Sequence, residues 1–283
     1  MSFSNLDIVS QQETVESAQT EEVTPQSSKT ETMKTKVPES TITNESLTID
    51  NCELGLGLRE ETKDFLLDNV GSVGLIMSSN SNLAEMYFPM FGESIRVLGA
   101  PSLQVLETKA MRARDANSPY EALGYGLETS ASTPAEEWQN ITASSEAAEV
   151  LASQYEKQLL LAPGFRLMVQ NENLYAEMAS MTDFWILQTQ QLQKNPPGPE
   201  YRQEVERIVS LIRSGNPEIV IWAQITLPPD RKPDAEEWLA YRALIADLVD
   251  GTYVGVYTWD IFEDSELLVE IAEIFESVCN LDE

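Results

Sequence analysis

Phe184-Trp185-Ile186-Leu187-Gln188, the amphipathic run 200–214, and Ile219-Val220-Ile221-Trp222-Ala223-Gln224-Ile225 together decide the fold. The first and last runs are apolar on both alternations, as strands covered on both faces must be. Between them Val205, Ile208, Val209, Leu211 and Ile212 recur at helical spacing, and Gly215 and Pro217 end the stripe. Two strands joined by a helix of this length pair in parallel with a right-handed crossover.

The same unit recurs outward in both directions. Short β-rich runs occupy 73–77, 95–98, 122–127, 158–162 and 253–259, and a candidate first strand lies at 47–54. Helical patterns fall between them at 61–70, 103–114, 143–156, 174–181 and 235–249, with a last one at 265–279. Eight strands alternating with helices predict an α/β fold, a (β/α)8 TIM-like barrel, over residues 46–283. The alternative is an open doubly wound parallel sheet. No glycine-rich phosphate loop follows the first strands, which favours the barrel. No internal sequence repeat is visible.

Residues 1–45 read differently. They are rich in Ser, Thr, Glu and Gln, with Phe3 their one aromatic residue. Such a segment cannot bury enough apolar surface to offset its ordering entropy, which predicts a disordered acidic tail.

The chain carries 47 acidic and 18 basic residues, a net charge of -29. That field repels phosphate backbones and anionic lipid, so neither nucleic acid nor a membrane surface is the expected partner. A small-molecule or glycan ligand is. The N-terminus shows no basic region followed by an apolar one, so a cytoplasmic protein is expected. Cys52 and Cys279 flank the folded part, where a barrel would bring them together, but in that compartment reduced thiols are expected. Histidine is absent. This removes Ser-His and Cys-His catalysis and His-ligated metals, and leaves proton transfer to Asp, Glu, Tyr, Lys or Cys. No spacing suited to a carboxylate metal site is present, so no metal and no cofactor are expected.

In a barrel the site forms where the strands end. Glu128 is the leading candidate: alternation puts Gly124, Gly126 and Glu128 on one face, and the glycines clear space beside the carboxylate. A carboxyl in a partly apolar mouth can serve as general acid. Gln188 and Gln224 end their strands and could hold hydroxyls or a carbonyl through paired donor and acceptor bonds. Trp222 shares a face with Gln224, and Tyr257 with Trp259; aromatics there can stack on a pyranose ring. Arg166 could hold an anionic group. Asp260 is the one further strand-end acid able to act as second catalytic carboxylate. Each has a plainer reading, as loop cap, polar core layer, aromatic cap or local ion pair.

Two stretches carry a resemblance. One is Tyr125-Gly126-Leu127-Glu128 followed by Thr133-Pro134-Ala135-Glu136-Glu137. The other is Asp183 to Gln190 followed by Asn216 to Gln224. From Tyr120 to Asp260 the chain resembles uncharacterised bacterial barrel proteins of glycoside-hydrolase type and is more distantly similar to chitinase-like hydrolases. The resemblance implies a proton-donating Glu128 and a stacking Trp259. Those hydrolases place aspartates two and four residues before the Glu; here stand Gly126 and Gly124, which removes the group that orients a substrate-derived intermediate.

These readings predict a carbohydrate-active barrel of glycoside-hydrolase type, weakly active or catalytically degenerate. The alternative is a non-catalytic ligand-binding or scaffold protein, and a third option is a lyase or isomerase acting through Glu128 and a tyrosine.

Overall fold

The computed structural model describes residues 52–194, 196–227, 234–256 and 264–279. The predicted tail lies outside the described residues. The elements run β1 (Leu54–Gly57), α1 (Lys63–Asp68), β2 (Leu75–Ser78), α2 (Ser81–Tyr87), β3 (Ile95–Ala100), α3 (Leu103–Asp115), β4 (Ala122–Tyr125), α4 (Ala135–Gln139) and α5 (Ile141–Gln154). They continue with β5 (Gln158–Leu161), α6 (Phe165–Val169), α7 (Tyr175–Ala179), β6 (Phe184–Gln188), α8 (Pro199–Gly215), β7 (Val220–Leu227), α9 (Ala235–Ile245), β8 (Gly251–Val256) and α10 (Asp264–Cys279).

Every strand pairs in parallel with the next, and β8 returns to β1 through Leu54↔Thr252, Gly55↔Tyr253 and Leu56↔Val254. The sheet is therefore a closed eight-stranded barrel, not an open one. The first strand falls at Leu54–Gly57, later than the expected 47–54. Its two glycines weaken any strand signal, whereas Thr48 and Ile49 before it are β-branched and attract one. Helices α2, α4 and α6 were not expected. Side-chain caps start α2 and α3: Asn80 accepts from Asn82 N and Leu83 N, and Ser102 from Val105 N.

Two apolar layers hold the barrel. Inside, Leu75, Ile95, Val97, Ala122, Leu160, Phe184, Ile186, Trp222 and Tyr253 fill the lumen. Outside, helix faces such as Val205, Ile208, Val209 and Ile212 of α8 cover the sheet. Burial of each large apolar side chain contributes roughly 1.5–3 kcal/mol. Trp222 forms the floor. Its ring fills space that only glycine leaves: a Cβ on Gly251 would lie 2.6 Å from it and one on Gly74 3.0 Å.

The N-terminal face of the barrel carries a device repeated every second strand. Glu121, Asp183 and Asp250 stand just before β4, β6 and β8. Each carboxylate accepts a backbone N–H of the preceding strand, from Arg96 (2.9 Å), Leu159 (3.0 Å) and Ile221 (2.8 Å). Each residue's own N–H donates back to the carbonyl of that same partner, at 3.0, 3.1 and 2.9 Å. The carboxylates thus occupy donors that no neighbouring strand reaches. Before β2 the position is Gly74, whose N–H donates to Leu54 O at 2.9 Å. A side chain is impossible there, since a Cβ would lie 2.4 Å from Cys52 O.

Cys52, just before β1, is bonded to Cys279 at the end of α10, with Cα atoms 5.3 Å apart. The expectation of reduced thiols is corrected: closure of the ring brings residues 227 apart in sequence within bonding reach.

Candidate functional site

A cavity of about 420 Å³ opens where the strands end. It exists because inward positions on several strands carry no side chain: Gly57, Gly99, Gly124 and Gly126 all line it. Met77 packs against this glycine wall, its Sδ 3.3 Å from where a Cβ on Gly99 would stand.

Glu128, Gln188 and Gln224 line the same cavity. Gln188 Nε2 donates to Glu128 Oε1 at 2.6 Å, with a longer contact to Ala162 O at 3.4 Å. Gln190 Nε2 in turn donates to Gln188 Oε1 at 3.1 Å. The second bond fixes which way the Gln188 amide points, and so keeps a donor on Glu128. Glu128 Oε2 takes no hydrogen bond among the described residues. This is the oxygen free to carry a proton or to meet a ligand. Gln224 Nε2 lies 3.4 Å from Thr226 Oγ1 and keeps its oxygen available.

The opposite wall is cationic and phenolic. Arg59 follows β1 at the rim and lines the cavity. Its backbone is held by Thr62, whose buried hydroxyl accepts from Arg59 N at 3.1 Å and donates to Gly57 O at 2.6 Å. Tyr253 rises from β8 across Gly55 and Gly57, and its hydroxyl lies 3.0 Å from where a Cβ on Gly57 would be. Burial pushes the Tyr253 phenol up to about 12, with the Arg59 charge pulling the other way. Behind the β2–β3 rim, Lys109 Nζ donates to Ser79 O and Gly99 O, each at 2.6 Å, and burial lowers its pKa.

Two expected contacts stand elsewhere. Trp222 lies one pleat below Gln224 and is wholly buried, so it forms the floor beneath the cavity and does not line it. Arg166 is exposed on α6 and does not line the cavity. Tyr257, Trp259 and Asp260 lie outside the described residues. Arg59 and Tyr253 were missed by the sequence reading. The signal for both was available in Leu54-Gly55-Leu56-Gly57: taken as the first strand, it puts Gly57 and Arg59 on the inward alternation and opens a channel for a large residue opposite. Among the described residues no three His, Cys, Asp or Glu side chains converge as a metal would require.

No protein-family model matches this chain, and no curated protein does. Solved structures share its fold. A putative alpha-L-fucosidase from Bacteroides thetaiotaomicron superposes with a TM-score of 0.56 at 9% identity, covering 82% of this chain and 94% of that one. The 3-keto-L-gulonate-6-phosphate decarboxylase of Vibrio cholerae gives a TM-score of 0.47 at 10% identity, covering 81% and 99%. A family 17 β-1,3-glucanosyltransferase from Rhizomucor miehei gives 0.48 at 10%, covering 70% and 85%. At these identities the likeness extends to the barrel architecture alone.

Proposed function

We propose that the barrel mouth binds a sugar-sized polar ligand and that Glu128 is its proton-transfer group, in a carbohydrate-active barrel of glycoside-hydrolase type. The observation that carries this reading is the Gln190–Gln188–Glu128 chain of hydrogen bonds at the edge of a sugar-sized cavity, with Gln224 on the same wall. A carboxyl whose Oε1 is occupied by a fixed amide can present a proton on Oε2 to a leaving oxygen. The two glutamines supply the donor and acceptor pairs that ring hydroxyls need.

Hydrolysis by two carboxylates needs a second acid about 5 or about 6.5–9.5 Å away. Among the described residues Glu128 is the one carboxylate lining the cavity. Asp260 is the proposed second acid. Having Glu128 as its one carboxylate among the described residues favours one alternative, a barrel that binds the same ligand without cleaving it. The cross-linked Cys52–Cys279 pair argues for an oxidising compartment in place of the cytoplasm.

A glycan array followed by turnover assays on aryl glycosides tests the reading. Binding that Gln224→Ala weakens, with turnover that Glu128→Gln removes, supports a hydrolase. Binding without turnover in the native protein supports the alternative. Failure to bind any glycan overturns both.

A further inference from the structure

We infer that Arg59 and Tyr253 form an anion subsite, so that the ligand is an acidic sugar derivative whose carboxylate or phosphate sits on the β1–β8 side while its hydroxyls face Glu128 and the glutamines. This rests on the proposed sugar-sized ligand and adds its charge.

Two independent observations support it. The first is Tyr253. The residue is 7% exposed, yet its hydroxyl lies at the cavity wall and takes no hydrogen-bond partner among the described residues. A phenol placed so deep normally finds an acceptor. An anionic oxygen entering the cavity would be one, and burial keeps the phenol protonated as a donor throughout the physiological range. The second is the charge of the wall. In a chain of net charge -29, the cavity is lined by one cation, Arg59, and one carboxylate, Glu128, among the described residues. They come from the ends of β1 and β4, on separate parts of the described wall. Lys109 adds to the positive side: its ammonium is bound to the carbonyls of Ser79 and Gly99, and both residues line the cavity.

The geometry suits an oxyanion. Arg59 Nε and the Tyr253 hydroxyl crowd the same point, 3.5 and 3.0 Å from where a Cβ on Gly57 would stand. With glycine there, no side chain stands between the two donors. A guanidinium carries five donors in a planar fork, the geometry that matches a carboxylate or phosphate. The Thr62 hydroxyl fixes the backbone at Arg59, which limits how far the fork can swing.

The test is calorimetric titration of the full chain with three matched series in gluco, galacto and manno form: the neutral hexose, the hexuronate and the hexose 6-phosphate. The expected result is one acid bound about tenfold or more tightly than its neutral parent, with the uronate and phosphate arms showing which anion is meant. Arg59→Ala should bring acid and parent within about threefold. Arg59→Lys, which keeps the charge and loses the fork, should fall between. Tyr253→Phe should weaken the acid more than its neutral parent. A neutral hexose bound as tightly as its acids, or an acid preference that survives Arg59→Ala, overturns the inference. If neutral hexoses bind and Gln224→Ala weakens them without any acid preference, the proposed function stands and this subsite falls. If no member of any series binds, both fall.

Discussion

Gln188 and Glu128 stand 60 residues apart in sequence, on strand ends that are not neighbours in the barrel, yet Nε2 of one lies 2.6 Å from Oε1 of the other. The bond passes over the end of β5. It can do so because the chain there offers only Ala162 and Gly164; a Cβ on Gly164 would lie 3.3 Å from Glu128 Cγ. A larger residue would push the carboxylate away from the amide that orients it.

Glu128→Gln should separate chemistry from stability. Glutamine keeps an oxygen that accepts from Gln188, so stability should stay within about 1 kcal/mol. Turnover should fall by roughly 10²–10⁴-fold, because the transferable proton is gone. Paired urea melts and kinetic runs read both. A loss of several kcal/mol with turnover intact would sink the proposed role.

Gly126→Ala and Gly251→Ala should behave oppositely. A Cβ on Gly126 meets its nearest neighbour, Ala100 O, at 3.6 Å, an ordinary contact. A Cβ on Gly251 meets the Trp222 ring at 2.6 Å. The first change should alter stability by less than about 0.5 kcal/mol and narrow the mouth. The second should cost about 1–3 kcal/mol by forcing the floor to shift. Equal midpoints in denaturant for the two variants would contradict this account of the lumen.

Reduction should weaken the fold. The Cys52–Cys279 bond closes a loop spanning nearly all the described chain. In the chain-entropy account such a loop contributes about 5.5 kcal/mol. Cys279→Ser, or treatment with dithiothreitol, should therefore lower Tm by roughly 10 °C. Mass spectrometry should show the native protein lighter by about two hydrogens than its reduced form. Free thiols in the native protein would refute the cross-link.

Alkali should also weaken it. Burial pushes the phenols of Tyr120 and Tyr253 up to about 12. It raises Tyr125, Tyr175 and Tyr201 as well, with the Glu137 carboxylate adding to the rise at Tyr125. In the unfolded chain a phenol ionises near 10. Between about pH 10 and 12 the native state therefore binds more protons than the unfolded one, so its stability falls as pH rises. The contribution is complete below about pH 10 and is lost through about 12, at roughly 1.4 kcal/mol for each unit of separation. Lys109, lowered by burial, acts with the opposite sign but is one group against five. Urea midpoints measured from pH 8 to 11 should hold and then drop; a flat series would count against the buried phenols.

Much of the barrel was legible from periodicity. Phe184 to Gln188 reads as a strand and is one, because a strand covered on both faces must be apolar on both alternations. The stripe of α8 was equally plain, since its apolar residues face one sheet. The first strand was misplaced because barrel-interior glycines look like loop residues when the lumen they clear is unknown. Short helices such as α6 escaped because five residues do not complete an amphipathic pattern.

The same reason divides the site. Glu128, Gln188 and Gln224 line one cavity, as alternation along their strands suggests, since alternation depends on local geometry. Trp222 shares the face of Gln224 but lies deeper, and depth is set by how the strands stagger around the ring. Arg59 depended on locating β1. Tyr253 sits in mid-strand and reaches the mouth only because Gly55 and Gly57 stand opposite it, a fact of pairing and not of its own neighbourhood. The repeated carboxylates Glu121, Asp183 and Asp250 were invisible as a repeat, since one residue in each two-strand unit leaves no mark on the surrounding sequence.

The Cys52–Cys279 bond has a consequence for chain order. With its two flanking residues held 5.3 Å apart at the Cα atoms, the barrel has no structural beginning. A peptide linker of a few residues could replace the sulfur bridge, and the chain could then be opened at an exposed turn such as Asn117, where the backbone already adopts a left-handed conformation. The permuted chain would start between α3 and β4 and place Glu128 near its N-terminus. Since each strand is held by the two beside it in space, the same ring of eight should close around the same cavity.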